Sequence, residues 1–237
     1  MKKNILIVGA TGSIGHEFTK HYDLERNVEK IFALSRRNND FDSKKIHPVI
    51  FDYNKDETFE DLIDALNNQP INTIIIATGL LHNKDVSPEK SVNSISVLGL
   101  NQLFHVNVFG PMLLIKKLLP LIKKSTLVKI IFLTARVGSI TDNKLGGWYS
   151  YRSSKAALNM MIRTLSIELQ RIKKENIVIG MHPGTVDSNL SKPFLKNVNH
   201  QILSPKESVA HMVKVIHRIK PEDSGNCFDI KGNVIDP

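Results

Sequence analysis

The sequence predicts an α/β protein built on a doubly wound, mostly parallel sheet of seven strands with helices on both faces. Short apolar runs alternate along the chain with stretches of helical period, and most of the runs are continuous Ile, Val, Leu and Phe. Continuous runs are typical of strands that a parallel sheet buries on both faces. We expect a single domain over residues 1–237, because no repeat, low-complexity segment or linker divides the chain.

Seven strands and five helices account for most of the chain. The strands are predicted at Ile5–Val8, Lys30–Leu34, Pro48–Phe51, Asn72–Ala77, Val128–Thr134, Ile177–Met181 and Cys227–Ile230. The helices are predicted at Ser13–His21, Glu57–Asn67, Asn101–Lys124, Tyr149–Lys174 and Pro205–Ile219. This alternation of strand and helix implies a doubly wound sheet.

The composition argues against several classes of protein. Apolar runs fall short of the roughly 18 residues that a membrane helix needs, so no membrane partner is expected. Cys227 is the single cysteine, which excludes an internal disulfide and fits a reducing cytoplasm. The net charge of +9 is carried by scattered lysine pairs without a dense basic tract, so we expect no nucleic-acid partner. The nine histidines make no His-x-x-x-His spacing, and no metal site is expected.

A glycine-rich turn follows the first strand and leads into a helix. Glycines in such a turn permit positive φ and let the backbone approach a pyrophosphate closely. The helix N-terminus then presents free N–H groups and a positive dipole end to the phosphates. The strand–turn–helix context favours a dinucleotide site of the Rossmann type over a tight turn that binds nothing. The predicted contacts of this turn are Gly9, Thr11, Gly12, Ser13, Ile14 and Gly15.

The end of the second strand predicts which dinucleotide binds. A site for NAD usually places an acidic side chain there, but this chain reads Ser35-Arg36-Arg37 with no carboxylate before Asp40. The planar fork of arginine suits a ribose phosphate. NADP(H) is therefore preferred over NAD(H), with Ser35 and Arg36 as contacts and Arg37 in reserve; the alternative is two exposed arginines on a loop. Further predicted contacts are Asp52 and Tyr53 after the third strand and Ala77, Thr78 and Gly79 after the fourth.

Tyr151 and Lys155 stand four residues apart at the start of a predicted helix, which puts them on one face. An ammonium close to a phenol favours the phenolate, so we expect the pKa of Tyr151 to fall from about 10 towards neutral pH. Such a phenol can give a proton to a substrate oxygen or take one from it. The same spacing also occurs by chance on solvated helices, so this function depends on the other motifs.

Four motifs occur in the order seen in short-chain dehydrogenases/reductases, and the chain resembles this family over essentially its whole length. They are the glycine turn, Asn107 within the run His105–Pro111, the pair Tyr151 and Lys155, and the run His182–Val186. The segments Ala135–Ile140 and Gly146–Arg152 further resemble the bacterial C-factor branch, near carbonyl reductases of the sniffer type.

The resemblance implies a role for each matching residue. Tyr151 would be the general acid in carbonyl reduction and the base in alcohol oxidation, and Lys155 would lower its pKa and hold the nicotinamide ribose. Asn107 would interrupt its helix and bind a water that links Lys155 to solvent. The implied reaction is hydride transfer between the nicotinamide and a small aldehyde or ketone, or the matching alcohol. The residues expected under the nicotinamide are Pro183, Gly184, Thr185 and Val186.

Three departures from the family pattern bear on these expectations. Val8 replaces the threonine that often precedes the glycine turn. The run Ile76-Ala77-Thr78-Gly79 replaces Asn-Asn-Ala-Gly, which leaves Gly79 for close approach of a cofactor. The family's serine, which bonds the substrate carbonyl, falls on Ala135. An alanine methyl cannot donate a hydrogen bond, and a missing donor to an oxyanion costs orders of magnitude in rate.

Two hydroxyls flank this gap. Ser139 is slightly preferred as the substitute donor, because Thr134 still lies in the predicted strand and is expected to face a neighbouring helix. Two functions therefore stay open: an NADP(H)-dependent carbonyl reductase, or a C-factor-like dinucleotide-binding signalling protein with little turnover.

The segment 188–204 is predicted to be a substrate lid, because it follows the sixth strand, where ligand crevices lie in such sheets. It has no cluster of charge, which suits a small uncharged substrate. The predicted helices Asn101–Lys124 and Tyr149–Lys174 carry more apolar residues than one sheet face needs. Many members of the family pair through these helices, so a homodimer or homotetramer is expected; ordinary core packing is the alternative.

Overall fold

A computed structural model describes residues 2–38, 41–197 and 201–237. Asp40 and residues 198–200 of the predicted lid lie outside these ranges. The strands are β1 (Lys3–Val8), β2 (Val28–Ser35), β3 (Ile46–Ile50), β4 (Thr73–Ile76), β5 (Lys129–Leu133), β6 (Ile177–Met181) and β7 (Cys227–Phe228). The α-helices are α1 (Ser13–Leu24), α2 (Glu57–Leu66), α3 (Val97–Phe104), α4 (Gly110–Lys124), α5 (Tyr149–Ile172) and α6 (Pro205–Arg218).

The seven strands form one parallel sheet in the order β3-β2-β1-β4-β5-β6-β7. The chain builds outward from β1 to β3, crosses back to β4 beside β1, and then builds outward in the other direction. Such a reversal opens a crevice at the carboxyl ends of the two central strands, where ligands bind in open α/β sheets. The predicted doubly wound fold is confirmed, and all pairings in the sheet are parallel.

Each face of the sheet has its own hydrophobic core, which explains the continuous apolar runs. In β4, the side chains of Ile74 and Ile76 pack with residues of α2, α4 and α5. Ile75, between them, packs on the opposite face with residues of α1 and α6. Successive strand residues point to opposite faces, so a strand covered by helices on both sides must be apolar at every position.

The predicted helix Asn101–Lys124 is broken in the middle. The structure has α3, then a π turn at His105–Phe109, then α4. The whole stretch Val97–Lys124 is long and apolar enough by composition to cross a membrane, a property that core helices of globular proteins share. Here its inward side chains, such as Leu114 and Leu118, are fully buried in the core beside the sheet.

The last strand is shorter than predicted and ends at Phe228. The next residue, Asp229, accepts hydrogen bonds from the main-chain amides of Lys231 and Asn233 with its carboxylate. Those bonds close a turn, and the chain folds back so that Val234 pairs antiparallel to Phe228. A carboxylate that bonds nearby amides competes with the strand ladder, which the apolar pattern alone does not reveal.

Candidate functional site

The carboxyl ends of β1, β2 and β4 border a groove of about 1310 Å³. Ten of the residues predicted to bind a dinucleotide line it: Gly9, Thr11, Gly12, Ser35, Arg36, Asp52, Tyr53, Ala77, Thr78 and Gly79. Its lining does not include Ser13, Ile14, Gly15, Tyr151, Lys155 or the segment 183–186. The topology thus brings four separate predicted segments to one groove.

The glycine turn has the geometry that its sequence predicts. Gly9 has a φ of 83°, in the left-handed region that favours glycine. Gly12 stands at the N-cap of α1 and has no side chain to cover the first amides of the helix. A Cβ on Gly15 would lie 2.2 Å from the Gly9 carbonyl oxygen, so only glycine lets α1 pack this closely on the turn. The turn therefore exposes the amino end of α1 to the groove.

The far end of the groove collects the groups predicted to bind the adenosine. The Ser35 hydroxyl donates to the Arg37 carbonyl at 2.6 Å, which fixes the path of the chain where it leaves β2. Asp52 accepts hydrogen bonds from the main-chain amide and the side chain of Asn54. Partial burial alone would raise the pKa of Asp52, but these bonds and the positive charge of Arg36 lower it. Arg36 therefore lies close enough to influence Asp52 across the groove.

Tyr53 closes one wall of the groove. Its hydroxyl lies 3.0 Å from the Thr78 hydroxyl. A Cβ on Gly110 would lie 2.4 Å from the Tyr53 ring, so glycine at the start of α4 is what lets the ring pack there. The ring thereby links the ends of β3 and β4 and the start of α4 into one wall.

Tyr151 and Lys155 lie together on α5, and both are buried. The Lys155 ammonium is 5.8 Å from the centroid of the Tyr151 ring and donates to the Leu133 carbonyl at 2.9 Å. Burial lowers the pKa of Lys155 to about 8. Burial also raises the pKa of Tyr151 above its ordinary value. The expectation that the pKa of Tyr151 falls is therefore wrong for the chain by itself, because burial disfavours the charged phenolate.

Asn107 joins the π turn to the groove and to α5. Its side-chain oxygen accepts from the Leu80 amide at 2.8 Å, and its nitrogen donates to the Leu80 carbonyl at 2.9 Å and to the Ser154 hydroxyl at 3.0 Å. The residue is fully buried, so these bonds replace those it would make with water. The predicted interruption of the helix at Asn107 is observed as the π turn.

Gly79 connects the groove to the buried pair. It lines the groove, and a Cβ at this position would lie 3.7 Å from both the Lys155 ammonium and the Asn107 side-chain oxygen. The glycine turn and the Tyr151–Lys155 pair are therefore parts of one site, although they are about 140 residues apart in sequence.

Neither hydroxyl beside Ala135 has a free proton to offer a ligand. Thr134 lies just after β5 and donates to the side-chain oxygen of Asn159 on α5 at 2.5 Å, so it faces a helix as expected. The single hydroxyl proton of Thr141 goes to the Pro237 carbonyl, so the contact between Ser139 and Thr141 at 3.2 Å must use the proton of Ser139. The hydroxyl of Ser139, the preferred substitute donor, thus donates to Thr141 within its own turn.

An apolar cluster surrounds the Tyr151 side chain. Its members come from the loop after β4, α3, the loop after β5, the start of α5 and the predicted lid: Leu80, Leu81, Val86, Leu103, Ala135, Val137, Trp148, Leu190 and Phe194. Phe194 from the lid packs edge-on against Trp148, with ring centroids 5.2 Å apart. His82 bonds the Leu190 carbonyl at 3.1 Å, which ties the lid to the loop after β4.

The start of α5 is held by a residue that sequence reasoning missed. Gly146, Gly147 and Trp148 all have left-handed φ values, of 64°, 64° and 52°. The Trp148 amide donates to the Glu89 carbonyl at 2.5 Å, and the Ser150 amide donates to the Glu89 carboxylate at 3.2 Å. A helix that begins without Ser, Thr, Asp or Asn at its N-cap is a signal that another segment caps it.

The segment after β6 lies beside the lid. Gly184 has a φ of 76°, and the Pro183 carbonyl accepts from the Ser208 hydroxyl at 2.7 Å. Val186 is buried and pairs with Leu203, where the predicted lid ends. The two ends of the lid are therefore anchored to each other at the carboxyl end of β6. Among residues 2–38, 41–197 and 201–237, no group of three or more His, Cys, Asp and Glu side chains is placed to hold a metal ion.

Comparison with known proteins gives one family and several relatives. Residues 3–199 match the family described as short chain dehydrogenase. The chain is 34% identical over 132 residues to the C-signal protein of Myxococcus xanthus, a match that covers 56% of this chain and 75% of that protein. It is 29% identical over 224 residues to the 1-hydroxy-2-glutathionyl-2-methyl-3-butene dehydrogenase of Rhodococcus sp. (strain AD45), which covers 93% of each.

Among solved structures, the NADPH-bound carbonyl reductase from chicken fatty liver superposes on the chain with a TM-score of 0.86. The two are 23% identical, and the match covers 100% of this chain and 94% of that one. At 23% identity, this similarity supports the fold alone, and it agrees with the strand order described above.

Proposed function

The chain belongs to the short-chain dehydrogenase family and is an NAD(P)-dependent oxidoreductase, and on that premise we propose that it is an NADP(H)-dependent carbonyl reductase with Tyr151 as its general acid. The observation that carries the proposal is Gly79, which lines the dinucleotide groove and abuts the Lys155 ammonium. A cofactor in the groove and a carbonyl beside Tyr151 would therefore meet at this glycine.

The residues of the groove fit NADP(H). A Cβ on Gly9 would lie 3.1 Å from Thr78, and one on Gly12 would lie 3.2 Å from the Gly9 carbonyl oxygen, so the cradle depends on bare backbone. The exposed amides and dipole of α1 suit a pyrophosphate. Arg36 would hold the ribose phosphate, and its influence on the pKa of Asp52 supports its position at the adenosine end.

The chemistry of the chain's own residues suits reduction. The raised pKa of Tyr151 keeps the phenol protonated at neutral pH, and that proton is what a carbonyl oxygen takes up as it becomes an alcohol. NADPH, when bound, supplies the hydride to the carbonyl carbon. Lys155 is anchored by the Leu133 carbonyl, and Asn107 holds Leu80 and Ser154 on either side of it.

The surroundings of Tyr151 favour an apolar, uncharged substrate. Leu81, Val86 and Leu103 are buried with Tyr151, and Trp148, Leu190 and Phe194 pack against them. A charged substrate would lose its hydration against these apolar side chains. We therefore propose a small aldehyde or ketone with an apolar or aromatic substituent.

A second function rests on the missing hydroxyl. Ala135 cannot donate, and the protons of Thr134 and Ser139 are bonded to Asn159 and Thr141. A site that binds the dinucleotide but supports the oxyanion with Tyr151 alone would turn over slowly. This observation favours a dinucleotide-binding protein with little catalysis as the runner-up.

The remaining expectations from the sequence are also proposals. We propose pairing through α4 and α5, because Leu113, Met160 and Met161 on these helices are exposed. A homodimer or homotetramer would cover these side chains. A cytoplasmic location is proposed from cysteine usage alone.

The test is NADPH oxidation with a panel of aldehydes and ketones, on the parent chain and on Tyr151→Phe. We expect Tyr151→Phe to lower kcat by about 10²- to 10⁴-fold, the usual contribution of a general acid. Tyr149→Phe is the matched control, because Tyr149 is an exposed tyrosine two residues earlier on the same helix, and its activity should equal the parent's. Equal turnover in Tyr151→Phe and the parent would overturn the assignment. NADPH binding with no reduction of any carbonyl would favour the runner-up.

A further inference from the structure

Glu89 is a buried carboxylate outside the motifs used so far. Its side chain accepts hydrogen bonds from both the main-chain amide and the hydroxyl of Ser150, the amide at 3.2 Å. Its own carbonyl oxygen accepts from the Trp148 amide at 2.5 Å. Only 6% of the residue is exposed. Glu89, in the loop after β4, thus accepts hydrogen bonds from three donors at the start of α5.

This carboxylate is balanced by a helix end rather than by a cation. In the described part of the chain, none of the ion pairs involves Glu89. The first amides of a helix lack partners within the helix and carry its positive dipole end. Trp148 occupies the N-cap of α5 and its indole cannot accept a hydrogen bond, so α5 has no side-chain cap of its own. Glu89 supplies the missing cap from a distant segment.

The segment that Glu89 holds at the start of α5 has a strained backbone at Trp148. Trp148 adopts a left-handed φ of 52°, which costs energy for a residue with a side chain. Such conformations persist only where surrounding contacts over-determine them. Two sets of contacts do so here: the Trp148 amide bonds Glu89, and the Arg152 guanidinium donates to the carbonyls of Gly146 and Gly147 at 3.2 and 3.1 Å.

The strain has a consequence at the substrate side of the site. In this conformation the Trp148 ring packs against the Tyr151 ring, with centroids 6.1 Å apart, and against Phe194 of the lid. Gly99 of α3 lies beside this carboxylate, since a Cβ there would be in ordinary contact, at 3.8 Å, with both Glu89 Oε1 and the Ser150 hydroxyl. Glu89 therefore ties the loop after β4, α3 and the start of α5 together, one residue before Tyr151.

We propose that Glu89 is a positioning residue for the reaction: its carboxylate caps α5 and holds Trp148 and Tyr151 in the arrangement that forms the substrate pocket. The proposal rests on the proposed function only in that Tyr151 is the acid. Glu89 acts through Ser150 and Trp148 and touches neither substrate nor cofactor.

The test compares Glu89→Ala and Glu89→Gln with the control Asp223→Asn. Asp223 also accepts a main-chain amide, from Lys220 at 2.8 Å, but lies near the amino end of β6, away from the groove. Because Trp148 is the only tryptophan, its intrinsic fluorescence reports on the conformation at the start of α5 and needs no enzymatic turnover. The measurements are Trp148 emission and acrylamide quenching, the Kd for NADPH, and kcat and KM for a reduced carbonyl.

Glu89→Ala should lower kcat by about 10- to 100-fold, the cost of a small misplacement of a reacting group. Its Kd for NADPH should stay near the parent's, and its Trp148 emission should shift to the red with stronger quenching. Glu89→Gln keeps an oxygen for the Ser150 amide and should restore most of kcat. Asp223→Asn should match the parent in kcat and fluorescence even where it unfolds at a lower temperature.

An unchanged kcat and unchanged Trp148 emission in folded Glu89→Ala would overturn the proposal, as would a Glu89→Gln variant as slow as Glu89→Ala with parent-like fluorescence. If Glu89→Ala does not fold, Ser150→Ala removes the hydrogen bond from the Ser150 hydroxyl to the Glu89 carboxylate. This variant must then show the same effects on kcat and fluorescence in weaker form. If the parent reduces no carbonyl, the proposed function fails, while the fluorescence of the variants still decides whether Glu89 holds the start of α5.

Discussion

Replacing Asn107 with alanine separates the stability that this residue provides from its part in the site. The side chain makes three hydrogen bonds in a fully buried position, two of them to the main chain of Leu80 and one to the Ser154 hydroxyl. The alanine leaves the Leu80 amide and carbonyl without partners. Leu80 follows Gly79 in the groove, and Ser154 precedes Lys155 on α5, so both neighbours of the ammonium lose their support.

The expected loss of stability follows from those two orphaned groups. A buried donor or acceptor left unsatisfied costs about 1–3 kcal/mol, so Asn107→Ala should lose roughly 2–6 kcal/mol of unfolding free energy. A chain of this size loses about 2–4 °C in Tm for each kcal/mol, so Tm should fall by roughly 4–24 °C.

Asn176→Ala is the matched control. Asn176 is also buried and bridges main-chain groups, accepting from the Val128 amide at 3.3 Å and donating to the Leu169 carbonyl at 3.2 Å, at the amino ends of β5 and β6. Calorimetry should show a loss of Tm in both variants, smaller in Asn176→Ala, because that change leaves only the Val128 amide unpaired while the Leu169 carbonyl still accepts from the Lys173 amide. NADPH affinity and turnover, measured well below either Tm, should fall only in Asn107→Ala. Equal activity in the two variants would refute the link between Asn107 and the site.

Two further predictions concern charge. Burial lowers the pKa of Lys155 from its ordinary 10.5 to about 8, so the folded chain releases this proton at a lower pH than the unfolded chain does. The free energy of unfolding should therefore rise with pH between about 8 and 10.5. Below about pH 8 the buried ammonium destabilises the folded chain to its full extent. Lys155→Met should have a higher Tm than the parent at pH 7, and the difference in Tm should become smaller by pH 9.5. A difference in Tm that stays constant with pH would contradict a buried, charged Lys155. Arg36→Ala should raise the Kd for NADPH by roughly 10- to 150-fold, the value of one charge-assisted contact, and leave the Kd for NADH nearly unchanged. Arg26→Ala, an exposed arginine at the other end of β2, should change neither Kd, and equal loss of both cofactors in Arg36→Ala would refute the phosphate contact.

The fold was predictable because its signals are local. A strand buried on both faces must be apolar at every residue, so Ile74, Ile75 and Ile76 reveal β4 without reference to the rest of the chain. The π turn at His105–Phe109 was predicted only through the resemblance that marks Asn107. Its cause is a set of bonds to Leu80 and Ser154, and no periodicity in the sequence records partners so far apart. The turn that shortens β7 depends on the Asp229 carboxylate, which an apolar pattern does not register.

The site was predictable where backbone geometry determines it and not where burial does. Gly9, Gly12 and Gly79 could be predicted because the close approach of a phosphate to the main chain, which we propose here, excludes side chains. The pKa of Tyr151 was predicted with the wrong sign, because spacing along a helix shows the nearby ammonium but not the loss of water around the phenol. Glu89 was missed because the carboxylate lies about 60 residues from the helix it caps.

The two buried pKa shifts are complementary in a way that spacing alone would not suggest. Burial favours the neutral form of each group, so Tyr151 keeps its proton while Lys155 releases its proton more readily than a solvated lysine does. A protonated phenol is the form that a general acid needs, and an ammonium with a pKa of about 8 can lose and regain a proton near neutral pH. The apolar cluster around Tyr151 excludes water from the phenol and so favours its protonated form. Side chains such as Leu81, Val86 and Leu103 would therefore support the proposed role of Tyr151, which is to give a proton to a carbonyl oxygen.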